Sequence, residues 1–202
     1  MYRTSLLALL CILSAPAVAQ QRYFTGIELT PFAGYTVGGQ VDTAAGSEQS
    51  ETFRLKESAN FGFALNGPSK SPTEWELYFN HQNTALTKGG PDITLDTLQL
   101  GGTYLGRGKV AVPFFVATLG GLRAKPRGSD SDYFLSFTVG GGYKFFPSKR
   151  VGLRLEARAI STVISSNNSW FCGVDGGATC VVRTSGNLLW EAQANAGIIV
   201  RF

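Results

Sequence analysis

The stretch LLWEAQANAGIIVRF, residues 188–202, constrains this chain more than any other. Its even positions, Leu188, Trp190, Ala192, Ala194, Ala196, Ile198, Val200 and Phe202, are all apolar, while Glu191, Gln193, Asn195 and Arg201 stand between them. A period of two places successive side chains on opposite faces of a β-strand. This run therefore demands a strand with one oily face and one polar face.

Seven further runs carry strand signals. The first opposes Ile27, Leu29, Ala33, Tyr35 and Val37 to Glu28, Thr30, Gly34 and Thr36. The second opposes Phe53, Leu55, Ala59, Phe61, Phe63 and Leu65 to Arg54, Lys56, Ser58, Asn60 and Gly62, and the third sets Trp75, Leu77, Phe79 and His81 against Glu74, Glu76, Asn80 and Gln82. The fourth, Ile93 to Leu105, changes phase near Asp96 and Thr97, which predicts a bulge or a late strand start. The fifth, VAVPFFVATLGGL, is nearly apolar on both faces, and periodicity does not orient it. Order returns in the sixth, where Tyr133, Leu135, Phe137, Val139, Tyr143 and Phe145 alternate with Ser136, Thr138, Gly140, Gly142 and Lys144. The seventh opposes Val151, Leu153, Leu155, Ala157 and Ala159 to Arg154, Glu156 and Arg158.

The connections sort into two kinds. Long polar ones follow runs one, three, five and seven, as in GGQVDTAAGSEQSE, NTALTKGGPD and RAKPRGSDSD, whereas NGPSKSPT, GRGK and PSKR are shorter. Strict alternation puts the long loops at one end of the sheet and the turns at the other, the asymmetry of a transmembrane barrel.

Residues 1–19 read as a signal peptide: Arg3, an apolar run from Leu6 to Leu13, and small residues at Ala17 and Ala19. Residues 20–202 then form one barrel domain. Export gives Cys172 and Cys180 an oxidising setting, which favours a disulfide that pins a loop. A metal pair fits poorly, because His81 is the only histidine. The net charge of +4 is dispersed along the chain, so a nucleic-acid footprint is missing. No cofactor is called for.

A soluble lipocalin-like barrel also has eight alternating strands, but it turns its apolar face inward. Here the polar face carries charges of both signs near the middle of strands, at Glu28, Arg54, Lys56, Glu74, Glu76, Arg154, Glu156, Arg158 and Glu191. Enclosed in a barrel, such groups have to pair, since an unpaired buried charge is expensive. A near-balanced set is what an interior ionic ladder needs. Aromatics also gather near run ends, Tyr23, Phe24, Tyr104, Phe114, Phe145, Phe146 and Phe202 at the turn end and Tyr35, Phe53, Tyr133 and Trp190 at the loop end, as interfacial girdles require. The expected fold is all-β: an eight-stranded antiparallel up-and-down transmembrane β-barrel, closed between its last and first runs.

In GIELTPFAGY, VPFFVATLGG, FTVGGGYKFFPSKRVGLRLEAR and the terminal GIIVRF, the chain resembles the small outer-membrane β-barrel family of Gram-negative bacteria. That class includes the transmembrane domain of outer membrane protein A and its eight-stranded relatives. The resemblance covers residues 21–202 and implies residence in the outer membrane among lipid and lipopolysaccharide, with periplasmic chain termini. It also implies that Ile198, Val200 and Phe202 occupy the signal read by the barrel assembly machinery.

A filled eight-stranded interior argues against a general porin, so the leading expectation is a structural or surface-interaction role, with an extracellular ligand bound through the long loops. A narrow channel for small or apolar solutes is the alternative. A lipid-modifying enzyme is a third, weaker one: it needs a base beside a nucleophile, and FNHQNT around His81 offers no serine two residues on.

Overall fold

The computed structural model describes residues 26–42, 52–85, 92–128, 130–164, 170–172, 180–182 and 188–202; of 40–42, 52–54, 170–172 and 180–182 only the backbone is described. Its strands are β1 (Glu28–Gly38), β2 (Gln40–Asp42), β3 (Thr52–Arg54), β4 (Ser58–Pro68), β5 (Thr73–Ala85), β6 (Asp92–Leu105), β7 (Ala111–Pro126), β8 (Asp132–Phe145), β9 (Val151–Val163), β10 (Trp170–Cys172), β11 (Cys180–Val182) and β12 (Leu188–Arg201). Eight of them close a barrel in the order β1-β12-β9-β8-β7-β6-β5-β4, every pair antiparallel. β2 with β3 and β10 with β11 form two hairpins outside it.

Closure follows from the alternation. Along β12 every inward residue from Leu189 to Ile199 is buried and every outward one from Leu188 to Ile198 is exposed. The last strand pairs on one side with β9, from Leu188↔Val163 to Val200↔Val151, and on the other with β1, from Gly38↔Glu191 to Glu28↔Arg201. No edge is left to hydrocarbon, where each open backbone group costs several kcal/mol. The exterior is correspondingly oily, with Phe61, Leu98, Leu100, Phe115, Leu119, Leu135, Leu155 and Ile198 all exposed.

Tight curling of the wall requires glycine on the inner face. A Cβ at Gly101 would sit 2.0 Å from the Ala117 carbonyl oxygen, and one at Gly120 would sit 2.1 Å from that of Leu98. No other residue fits there without moving a neighbouring strand.

Four sequence expectations are corrected. β6 has no bulge: it pairs without interruption from Thr73↔Tyr104 to Ala85↔Asp92. The pattern reverses because the surroundings reverse, with Ile93 and Leu95 buried inside the barrel while Thr94 and Asp96 point outward. Secondly, Phe114 joins the interior cluster of Leu105, Val112 and Val116 instead of a girdle, as the inward phase of β7 dictates. Thirdly, strict alternation of long and short connections does not hold. The strands run on at the loop end, so 86–91 and 127–131 are about as short as the turns 106–110 and 146–150, and the large connections are 39–57 and 164–187. Fourthly, the second run is split: Phe53 and Arg54 belong to β3, and Lys56 lies exposed between β3 and β4, outside the barrel wall.

Candidate functional site

The polar faces of the strands meet in the lumen. β9 supplies Arg154, Glu156 and Arg158 at every second position, so all three project inward in one column. Directly across the barrel, β5 contributes Glu76. Its carboxylate accepts from Arg154 at 2.8 Å and from Arg158 at 2.6 Å, while Glu156 pairs with the same two guanidiniums at 2.7 and 2.9 Å. Four charges thus bridge strands on opposite sides of the wall. Planar guanidinium forks suit this, because each serves two carboxylates at fixed angles.

Uncharged partners complete the lattice. Asn66 and Thr103 donate to Glu76 at 3.0 and 3.1 Å, and Asn195 donates to Glu156 at 3.2 Å. The Tyr78 ring lies 3.8 Å beneath the Arg158 guanidinium, stacks on Phe32 at 5.2 Å and sends its hydroxyl to Gln193 at 2.9 Å. Toward the turn end Lys144 reaches Glu28 at 2.6 Å and Glu74 at 2.7 Å, and Arg201 holds Glu28 at 2.8 Å over the face of Phe146.

The residues predicted for the ladder therefore divide. Glu28, Glu74, Glu76, Arg154, Glu156 and Arg158 are brought together. Glu191 is buried above them, hydrogen-bonded by Gln82, with no ion pair among the described residues and with Oε1 unpartnered. Lys56 is exposed and takes no part, and the Arg54 side chain lies outside the described residues. Lys144 and Arg201 complete the lattice although the sequence reading left them out. The signal was present, since both sit on the polar phase of their runs, but each is near a strand end where a charge is also expected to face water.

Apolar clusters lie at both ends. Ile93, Leu95, Leu122, Ala124, Phe134, Ile164 and Leu189 fill the loop end, with Leu55 packed against them. Leu105, Val112, Phe114 and Val116, with Phe146, line the β6–β7 side of the turn end, which they share with the Lys144 cluster.

Outside the wall, His81 Nδ1 lies 2.6 Å from Asp96 and its Nε2 lies 3.2 Å from the Asn83 amide nitrogen. The tautomer that satisfies both donates from Nδ1 and accepts at Nε2, so the lone pair a general base would use is occupied. Thr94 holds that amide by donating to Asn83 Oδ1 at 2.9 Å. No group of residues able to hold a metal ion occurs among the described residues. Among the remaining expected residues, Cys172 and Cys180 are direct partners in the β10–β11 register, their side chains lying outside the described residues. Ile198 and Phe202 are exposed on the outer wall and Val200 half so, and the Phe202 amide donates to the Ile27 carbonyl at 2.9 Å.

No protein-family model matches the chain, and no curated protein matches its sequence. Solved structures do. Neisserial surface protein A is 14% identical with a TM-score of 0.62, the match covering 88% of this chain and 97% of that one. Outer membrane protein OprG from Pseudomonas aeruginosa is 12% identical with a TM-score of 0.51, over 88% of this chain and 96% of its own. Outer membrane protein AlkL, solved in lipid bilayers, is 10% identical with a TM-score of 0.50, over 94% and 95%. At such identities the likeness is one of fold. The protein is an eight-stranded antiparallel closed β-barrel of the outer-membrane type, resembling the known small barrels of that membrane.

Proposed function

We propose that this is a non-conducting integral outer-membrane barrel, a rigid scaffold that presents its loop end at the cell surface for structural or binding purposes. The observation that carries the reading is the lattice of Glu76, Glu156, Arg154 and Arg158, in which Glu76 of β5 reaches across the lumen to Arg154 and Arg158 of β9 at 2.8 and 2.6 Å. An ion passing that level would have to separate buried charge pairs, at several kcal/mol for each broken pair. The apolar cluster at the loop end adds a dry barrier, and the Lys144–Glu28–Glu74 cluster adds a second ionic layer toward the turn end. A lipid-modifying activity at His81 is disfavoured by Asn83, which occupies Nε2.

Residues 1–19 serve in this reading as a signal peptide, the chain termini lie in the periplasm with the loop end outside, and Ile198, Val200 and Phe202 present the assembly signal. Cys172 and Cys180 form a disulfide, supported by their direct pairing in the hairpin, which brings Cβ atoms to about 4.5–5.5 Å. Membrane fractionation and gel migration with and without boiling test the placement: a heat-modifiable species in the outer membrane is expected, and its absence overturns the reading. Planar-bilayer recordings test the seal. Silence is expected, and steady unitary openings would return the narrow-channel alternative.

A further inference from the structure

On the β5–β8 side the strands rise above the oily belt, and their outward positions turn polar. RAK, read from sequence as the start of a loop, is the end of β7, so Arg123 and Lys125 both project outward two strand positions, about 7 Å, apart. Arg123 donates from Nε to Ser131 at 3.2 Å. Neither cation has a carboxylate at ion-pair distance among the described residues: Asp96 pairs with His81 at 2.6 Å and Asp92 with Arg127 at 3.7 Å, while Asp132, opposite Ala124 in the β7–β8 register, lies on the inward phase of β8.

Directly below Arg123 lies Gly121, and there a glycine is not required. A Cβ would find only the Phe134 carbonyl oxygen at 3.8 Å, whereas at the adjacent inward Gly120 it would meet backbone at 2.1 Å. The outward glycine therefore leaves a shallow notch in the belt. Its cross-strand neighbours Leu98 and Leu135, 54% and 56% exposed, form the sides. Tyr133, the cross-strand partner of Arg123 and 73% exposed, stands at the same height.

We propose that Arg123, Lys125 and the notch at Gly121 bind a phosphorylated glycolipid of the outer leaflet, an acyl chain lying over Gly121 and a phosphate held between the two cations. The proposal rests on the outer-membrane placement above and adds to it a specific lipid site. A guanidinium fork and an ammonium converging on one phosphate give charge-assisted bonds, strengthened at the rim where water is partly excluded. An anion in solution would have no use for the notch. A lipid uses both halves.

The test reconstitutes the full folded protein in phosphatidylcholine nanodiscs containing equal amounts of lipopolysaccharide and phosphatidylglycerol, and measures retained lipid by native mass spectrometry. R123Q/K125Q removes both charge-assisted contacts to the phosphate and should lower lipopolysaccharide retention by at least about tenfold. Lipid A stripped of its phosphates should be held by the wild type no better than intact lipid by that variant. G121L, which fills the notch without touching charge, should also weaken retention. Heat-modifiable migration verifies folding of each variant. Equal retention by wild type and R123Q/K125Q overturns the site, as does wild-type preference for phosphatidylglycerol. Specific retention in nanodiscs by a protein absent from outer-membrane fractions would instead overturn only the placement.

Discussion

The middle of the barrel and its loop end are built by the same strands and filled by opposite chemistry. In the middle, inward residues are Glu76, Glu156, Arg154 and Arg158 and outward ones are leucine, alanine and phenylalanine; at the loop end, inward residues are Ile93, Leu95, Leu122 and Leu189 and outward ones include Thr94, Asp96, Arg123 and Lys125. The strand period is the same in both. What changes is the outside medium, oily in the belt and aqueous above it. Where lipid covers the exterior, polar residues can only be placed inside and must pair; where water covers it, the interior reverts to the apolar filling of a soluble barrel.

The ionic middle depends most on Glu76. Glu76→Gln removes one carboxylate charge from between two buried guanidiniums, and breaking a buried pair from one side costs about 3–5 kcal/mol. Urea unfolding of the reconstituted barrel should show a midpoint lowered accordingly. A shift under 1 kcal/mol would mean the lumen is wet enough to solvate Arg154 and Arg158. Leu122→Ala attacks the other region. Its loss leaves a cavity costing about 2–3 kcal/mol, toward the low end for a buried leucine because strand ends relax. It should leave bilayer recordings silent, since the ionic layer beneath remains.

These two regions also separate what was legible in the chain. β1, β5, β9 and β12 lie largely within the belt, and their alternation reads directly as inside and outside. β6 and β7 pass through both regions, so their patterns invert or blur: Ile93 and Leu95 look like lipid-facing residues, and Phe114 looks like a girdle aromatic. Periodicity reports the contrast between two faces and carries no label for which medium each face meets. The lattice was legible as a set of opposite charges, but its pairing across the lumen was not, because that depends on strand order around the closed wall. Lys56 shows the same limit: its polar phase is right for the ladder, but the barrel wall resumes only at Ser58.

Glu191 lies where the two fillings meet. It is a buried carboxylate with Gln82 as hydrogen-bond partner and no cation at ion-pair distance among the described residues. Glu191→Gln keeps the shape and removes a charge that nothing compensates, so stability should be unchanged or higher by about 1 kcal/mol. The contrast with Glu76→Gln is the useful measurement. Equal destabilisation by both would show that Glu191 belongs to the charge lattice.

The smallest effect on the barrel is expected from Cys172→Ser. The β10–β11 hairpin is a separate two-stranded sheet beyond the closed wall, so the roughly 2.5 kcal/mol of chain entropy that a bridge between its two paired cysteines removes acts on the hairpin and not on the barrel. The unfolding midpoint of the barrel should therefore stay within about 0.5 kcal/mol, the ordinary scatter of surface changes. The hairpin itself has only two strands, too few to be stable alone in water, and without the bridge it should open far more often. Limited proteolysis in residues 173–179 should accelerate while the β-barrel core survives, and the wild type should lose the same protection on reduction. If barrel and hairpin instead lost stability together, the loop would be packed onto the apolar cluster of Ile93, Leu122 and Leu189 and would have to be counted as part of that seal.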